Sequence, residues 1–370
     1  LIRLLKSVRI LFLNQYFPPD PAPTGVLLRE LGEHLRAQGH EVKFVSSRQD
    51  YRAAKKNRGR MVRELRALTS IFSQAIRAQK PDVVFSASSP PCLVVVAALV
   101  ALRHRAKGVH WLMDLYPEIA VALGEIKPGA LPLAIEKLTG WAYRRCALVV
   151  ALDADMAARL EKYGIASEVI RPWVLQPLLD AAPKNEIAPD AEWTWIYSGN
   201  LGRAHEWETL LQTQAVLEKR GSPWRLLFQG GGPSWPLAQA RAAELDLRRC
   251  EWKPYVSEQE LQPSLLRCRA LVVTQRPETR GLLWPSKLAM VSNLPRPVLF
   301  VGPVDGAIAR ELQTLPHAGI FAPGQAAQIA DWLDAVHANG GFAITPPAQS
   351  AAQQRALSLE KWAGLLRGMQ

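Results

Sequence analysis

An α/β fold of two doubly wound, Rossmann-like parallel-sheet domains facing a cleft is predicted by three observations. Short β-branched or apolar runs alternate with stretches of helical periodicity. The alternation stops in a stretch carrying Pro172, Pro177, Pro183 and Pro189. It then restarts with the same rhythm, which is how parallel sheets with crossover helices read in sequence. The expected bounds are a first domain over 1–172, a linker over 173–191, a second domain over 192–345 and a terminal helical segment over 346–370.

The elements follow in order. Val8–Asn14 is a strand that runs into a proline-rich loop. From Gly25 to Gln38, apolar Val26, Leu27, Leu31 and Leu35 mark one helix face, and Gly39-His40 closes it. Strands are expected at 41–46, 82–85, 109–113, 147–152 and 168–170. In the second half they are expected at 193–197, 224–228, near Trp252, at 270–274 and at 297–301. The segment 349–369 reads as helical.

With 370 residues the chain can bury two ordinary cores, and 48% apolar with 21% charged residues is a globular composition. The longest apolar run, Cys92–Leu102, is too short to span a bilayer. The first ten residues lack the pattern of a signal peptide. Cys92, Cys146, Cys250 and Cys268 form no C-x-x-C pair, which fits a reducing cytoplasm and argues against structural zinc or a disulfide framework. A soluble cytoplasmic protein is the expectation.

The net charge of +12 is uneven. The first 170 residues hold 25 Lys/Arg against 15 Asp/Glu, the last 200 hold 20 against 18. Between Tyr51 and Lys80 nine cations face Glu64 alone, while Val62, Leu65, Leu68, Ile71, Phe72, Ala75 and Ile76 keep helical spacing. Two readings stand: a solvated basic helix packed on the sheet, or a surface resting on anionic lipid at the inner membrane. Nucleic acid is the weaker expectation, since no recognition signature or interleaved stacking aromatics accompany the cations.

Chemistry in such sheets belongs to loops after the strands' carboxyl ends. The first long loop ends at Thr24, a natural N-cap, and Gly25, which would let an anion approach the backbone. After the strand at 109–113 come Asp114 and Glu118, two carboxylates four apart that can orient a hydroxyl or act as a base; dipole matching at a helix start is the alternative. Gly199, Asn200, Arg203 and His205 combine glycine flexibility with donors suited to a diphosphate, and Gly230-Gly231 is a weaker copy. A fourth loop carries Glu278, Arg280, Gly281, Pro285, Ser286 and Lys287, with Pro285 suited to a first helical turn and Lys287 to a phosphate. Asp153-Ala154-Asp155 matches a metal-binding D-x-D literally, but capping of a helix accounts for it. No metal is expected.

Taken together these segments resemble the GT-B-fold glycosyltransferases of family 4, in the branch of bacterial surface-polysaccharide assembly (the colanic acid and O-antigen type). The carriers are Arg9–Phe17 with Pro18-Pro19, the Leu31…Gly39-His40-Glu41-Val42 step and Asp114-Leu115-Tyr116-Pro117-Glu118. To these add Tyr197-Ser198-Gly199-Asn200-Leu201-Gly202, Pro285-Ser286-Lys287-Leu288 and Arg296-Pro297-Val298-Leu299. The resemblance covers nearly the whole chain. It implies metal-independent transfer of a hexosyl or N-acetylhexosaminyl group, with retention, from a nucleotide diphosphate sugar, most commonly a UDP-sugar, to a glycan or lipid-diphosphate-linked acceptor. It further implies a nucleotide site in the second domain, an acceptor site in the first, and a terminal helix that crosses back to the first.

By position, Gly199–His205 would be the donor's phosphate loop, Tyr255-Val256 would lie by the nucleobase, and Pro285-Ser286-Lys287 would sit over the diphosphate. The chain departs from the family at Asn200 and His205, where arginine and lysine are usual. It departs again at Arg280 and Leu288, which fall where the family's two glutamates stand. A sugar-nucleotide epimerase of the same fold, or a non-catalytic nucleotide-sugar-binding partner, would share the diphosphate loops.

Overall fold

The computed structural model describes residues 7–20, 22–47, 59–183, 188–190, 192–315, 317–341 and 349–369, with Arg60 described by its backbone alone. They form two compact units, one of 1–172, 281–284 and 355–370, the other of 173–280 and 285–354.

In the first unit, β1 (Arg9–Leu13), α1 (Pro23–Ala37), β2 (Glu41–Val45), α2 (Arg60–Ala75), β3 (Val83–Ser86) and α3 (Leu93–His104) follow one another. Then come β4 (Lys107–Trp111), α4 (Glu118–Ala122), α5 (Ala130–Tyr143), β5 (Cys146–Ala151), α6 (Ala154–Glu161) and β6 (Glu168–Val169). The six strands pair in parallel in the order β2-β1-β3-β4-β5-β6. β1 and β3 are buried on both sides, so they read as continuous apolar runs rather than alternating ones. Leu11, Leu13 and Val84 meet Ile71 and Ala75 of α2 and Leu93, Ala97 and Val100 of α3 in one core layer.

The second unit contains α7 (Gln176–Asp180), β7 (Thr194–Asn200), α8 (Glu208–Lys219), β8 (Arg225–Gly231), α9 (Trp235–Glu244), β9 (Cys250–Lys253) and α10 (Glu258–Arg267). These are followed by β10 (Ala270–Thr274), α11 (Leu288–Val291), β11 (Val298–Val301), α12 (Ala307–Leu312), β12 (Ala318–Phe321) and α13 (Ala326–Ala338). The strand order is β12-β11-β10-β7-β8-β9, again all parallel. Trp195, Tyr197, Trp224 and Phe228 fill its core against Leu210, Leu211, Ile329 and Leu333.

The structure revises three expectations. The proline-rich stretch is no bare linker: Pro177 opens the short helix α7, and Gln262 donates to the Leu178 carbonyl at 2.9 Å. β12 had no counterpart in the sequence reading. Gly281–Trp284 departs from the 192–345 assignment and packs within the first unit. There Leu115 N–H donates to the Leu282 carbonyl at 2.9 Å, Asp114 and Leu283 form an antiparallel bridge, and the Arg171 guanidinium lies 5.6 Å from the Trp284 ring centre. Gly281 has φ +66°, and a Cβ there would come within 2.8 Å of the Asp155 backbone, so only glycine fits this passage.

The terminal helix, α14 (Ala351–Arg367), packs from Arg355 onward with the first unit. Trp362 is fully buried, its ring 4.9 Å from Trp111 and 5.0 Å from Phe85. Arg355 binds Glu30 of α1 at 2.9 Å. Truncating Trp362 leaves a large hole in the middle of this layer. Trp362→Ala should destabilise the first unit by about 3–5 kcal/mol, seen calorimetrically as a lowered transition for that unit, with the other unit's transition unmoved.

Candidate functional site

In a doubly wound sheet the strand order reverses at one place, and the loops there splay apart to leave a crevice at the carboxyl edge. In the second unit the chain runs from β7 out to β9, then returns to β10 on the other side of β7. The reversal therefore lies between β7 and β10, and the loops that follow them carry Gly202–Trp207 and Gln275–Lys287. The two loops are tied together: Arg276 N–H donates to the Ala204 carbonyl at 2.8 Å, and His205 Nδ1–H to the Thr274 carbonyl at 3.0 Å.

The glycines around this crevice are close-contact positions. Gly199 and Asn200, expected in a loop, are the last residues of β7 and pair with Gly230 and Gly231 of β8. Gly230 has φ +141°, and a Cβ on it would stand 2.2 Å from the Gly199 oxygen. A Cβ on Gly231 would meet the Tyr255 ring at 3.2 Å. Tyr255 and Val256 themselves are exposed at the rim, as are Asn200 and Arg203.

Lys287 occupies the floor. Its Nζ is shielded from solvent, has no hydrogen-bond partner among the described residues, and lies 3.4 Å from the centre of the Tyr197 ring. A Cβ on Gly199 would be 3.5 Å from Lys287 Nζ, so the amine faces that glycine's backbone. Burial pushes the Lys287 pKa well down. A cation over an aromatic ring gains about 2 kcal/mol when desolvated, which is less than the cost of taking an unpaired ammonium out of water. The site is thus short of one negative partner.

His205 cannot supply a second charge. Burial first, then the neighbouring Lys287, lower its pKa to about 3, and it sits neutral with its ring edge toward Tyr197 at 5.7 Å. Pro285 is not in the first helical turn, where it was expected; Pro285 and Ser286 lead through a turn into the four-residue α11, with Lys287 at its N-cap position. The group that faces the crevice here is the side chain of Lys287 rather than a helix end. Glu278 is exposed and paired with Arg276 at 3.4 Å; a backbone hydrogen bond, then Arg276, hold its carboxyl below the usual range. Arg280 reaches Asp305, after β11, at 2.6 Å. Tyr197 and Asp305 escaped sequence reading, though Tyr197 opens the Tyr-Ser-Gly-Asn run.

In the first unit the reversal lies between β1 and β3, and Asp114 follows the neighbouring β4. Burial pushes its carboxyl up to about 6. Among the described residues no hydrogen bond or ion pair joins it to Glu118. Glu118 instead receives Lys162 Nζ at 2.8 Å and the Tyr163 hydroxyl on Oε1, and Lys162 continues to Glu136 at 3.0 Å. Thr24 is not a cap: α1 starts at Pro23 with Ala22 in the N-cap position, because the fixed φ of proline begins the helix one residue earlier. Gly25 is buried, and a Cβ there would strike the Tyr16 carbonyl at 2.5 Å; its role on this evidence is packing of loop on helix. Asp153 caps α6, accepting Met156 N–H at 2.6 Å.

Residues 24–174 match the model of Glycosyltransferase Family 4. Over 308 residues, 79% of this chain and 76% of the relative, the sequence is 24% identical to the probable glycosyltransferase WbjE of Pseudomonas aeruginosa. Sucrose-phosphate synthase from Thermosynechococcus elongatus superposes with a TM-score of 0.72 at 13% identity, covering 98% of this chain and 99% of that one. The lipopolysaccharide outer core galactosyltransferase WaaB gives 0.64 at 14%, covering 98% and 100%. Anabaena HepE in complex with UDP-glucose gives 0.61 at 14%, with the same coverage. The chain has the GT-B fold and is a glycosyltransferase, with the match to Glycosyltransferase Family 4 confined to residues 24–174.

A bound diphosphate would give Lys287 the negative partner it lacks among the described residues and raise its pKa back toward the ordinary lysine range. Because its pKa is depressed in the empty site, binding should take up protons and tighten as pH falls. Calorimetry with UDP in buffers of different ionisation enthalpy should show that uptake. Lys287→Ala should abolish its lysine component and weaken UDP about 10- to 150-fold, the worth of a charged hydrogen bond, with melting unchanged or raised.

Proposed function

We propose that the chain transfers a sugar from a UDP-sugar to a lipid-linked glycan acceptor in the assembly of a surface polysaccharide, with retention and without a metal. The observation that carries this reading is the Lys287 amine, without a hydrogen-bond partner among the described residues and set beside glycine backbone at the strand-order reversal of the second unit. HepE, of the same fold, holds UDP-glucose, and WaaB is named a lipopolysaccharide galactosyltransferase. Retention is taken from the family resemblance.

In the transfer, the bond from the anomeric carbon to the diphosphate oxygen breaks and one to the acceptor oxygen forms. Negative charge grows on the departing diphosphate. Lys287, the backbone amides of the Gly202–Ala204 turn and Arg203 at the rim are the groups that would stabilise it, a preorganised electrostatic contribution strongest where water is excluded. Tyr255 and Val256 offer an exposed apolar edge for the base, and Arg280 and Glu278 border the sugar.

Asp114 is assigned the acceptor. A carboxylate with a pKa near 6 is ionised at neutral pH yet basic enough to take the hydroxyl proton as the new bond forms. Glu118, anchored by Lys162 and Tyr163, would fix the turn that carries Asp114.

Two measurements test the reading. Across UDP, GDP, ADP and CMP at millimolar concentration, UDP should raise the melting temperature most; no shift with any of them overturns the donor site. For transfer to a lipid extract, kcat/KM should fall on the acid side of pH 6. Below that pH Asp114 carries its proton and cannot accept another. Asp114→Asn should cut kcat at least 100-fold while UDP affinity stays within twofold.

A further inference from the structure

Away from the basic 51–80 segment, of which 51–58 lie outside the described residues, an aromatic rim marks one edge of the second unit. Strand β9 is the last of that sheet and, among the described residues, pairs only with β8. Trp252 of β9 stacks on Phe228, with ring centres 4.4 Å apart and planes within 5°. Trp235, at the start of α9, meets Trp252 edge-on at 5.0 Å, and both indoles keep part of their surface exposed. Leu237, on the same turn of α9, is 64% exposed. Aromatic side chains are enriched where proteins meet.

In a parallel pair, alternate residues of a strand turn their N–H and C=O groups to the neighbour. The Arg249 carbonyl accepts Leu226 N–H at 2.9 Å, and the register runs from Leu226↔Cys250 to Gln229↔Lys253. Arg249, Glu251 and Lys253 are therefore turned to β8, and Cys250 and Trp252 present their backbone groups to the open edge. A short, charged edge strand ordinarily discourages pairing. Here the charges are of opposite sign and two residues apart, so Glu251 and Lys253 share one side of the strand, 3.6 Å from each other. An antiparallel copy centred on Trp252 sets Glu251 opposite Lys253 of the second copy, and Lys253 opposite its Glu251. Trp252 meets its own counterpart and exchanges two main-chain bonds with it. Cys250 N–H reaches the carbonyl of Pro254, a residue with no N–H to leave unpaired. A register centred on Glu251 or on Lys253 sets like charge against like.

We propose that β9 pairs antiparallel with β9 of a second copy, making a homodimer whose two sheets are continuous across a twofold axis at Trp252. The charge pattern commits this edge to that occupant, because the strand is complementary to itself reversed. A twofold contact uses the same residues on both sides, and each Glu–Lys pair is then made twice. Cross-strand pairs of opposite charge support such an arrangement, and like charges directly opposite oppose it. Trp235, Trp252 and Leu237 stand beside the axis as its apolar part. The inference does not depend on the identity of donor or acceptor.

Sedimentation of the full chain over a range of concentrations tests this. A reversible dimer is expected. Glu251→Lys or Lys253→Glu should each weaken it at least tenfold, because each substitution turns both cross-strand pairs repulsive. Mixed together, the two variants should associate with each other within threefold of the parent chain, since every pair is again Glu against Lys. Melting and UDP affinity should hold in both, because these side chains are exposed and Arg225, bound to Glu251 at 3.3 Å, keeps Glu192 at 2.8 Å. A chain that stays monomeric at hundreds of micromolar overturns the proposal. So does a dimer that neither substitution weakens, or a mixture of the folded variants that fails to restore association.

Discussion

Two parallel strands cannot be joined by a tight turn; the chain must cross back over the sheet before it can pair again. Most of this molecule follows from that constraint. The crossovers clothe both faces with helices, which is why β1, β3, β10 and β11 are apolar on both sides. They also send every strand-to-helix loop to one edge of each sheet. Where the order reverses, at β1/β3 and at β7/β10, neighbouring loops part, and the chemistry-bearing residues collect beside those two places. Asp114 and Lys287 are far apart in sequence and unlike in chemistry, yet each stands beside such a reversal.

The same constraint decided what could be read without coordinates. Doubly buried strands such as Leu271–Val273 announce themselves as unbroken apolar runs, and the alternation of such runs with helical periodicity is visible at a glance. β12 is Ala-Gly-Ile-Phe, short and interrupted by a glycine whose absent side chain makes room for Trp332, 2.7 Å from where a Cβ would be. Nothing local marks it as a strand; pairing with β11 does. Proline was misleading in both directions. It suggested a linker where Pro177 starts α7, and it displaced the cap expected at Thr24 because Pro23 already sets the helix.

At the site, loop membership was legible and environment was not. The glycines, Arg203, His205 and Lys287 could be named from spacing, but their protonation depends on burial, which only the fold supplies. His205 reads as a half-cation in sequence and is a neutral donor to Thr274 in the structure. Glu118 reads as half of a carboxylate pair and is held by Lys162 and Tyr163. Gly281 reads as part of the donor loop, while the contact that requires glycine is with Asp155 in the first unit.

The departures at Asn200 and His205 then acquire a physical sense. Family resemblance leads one to expect arginine and lysine there, beside a third cation at Lys287. Charges confined to a desolvated pocket repel one another at the low effective dielectric of an interior, at about 4 kcal/mol for a pair 4 Å apart with an effective dielectric of 20. Lys287 already lies shielded on Tyr197 with no acidic partner among the described residues. Flanking it with an arginine and a second lysine would compound that cost. A neutral His205 removes that repulsion at the buried position, which leaves Lys287 as the shielded amine that responds to a diphosphate, with Asn200 and Arg203 exposed at the rim. A lysine suits this position better than an arginine, because burial lowers the pKa of its amine and a phosphate would raise it again, whereas a guanidinium stays charged throughout. The missing cations thus need not signal a disabled site; they suit one whose principal charge is called up by its ligand.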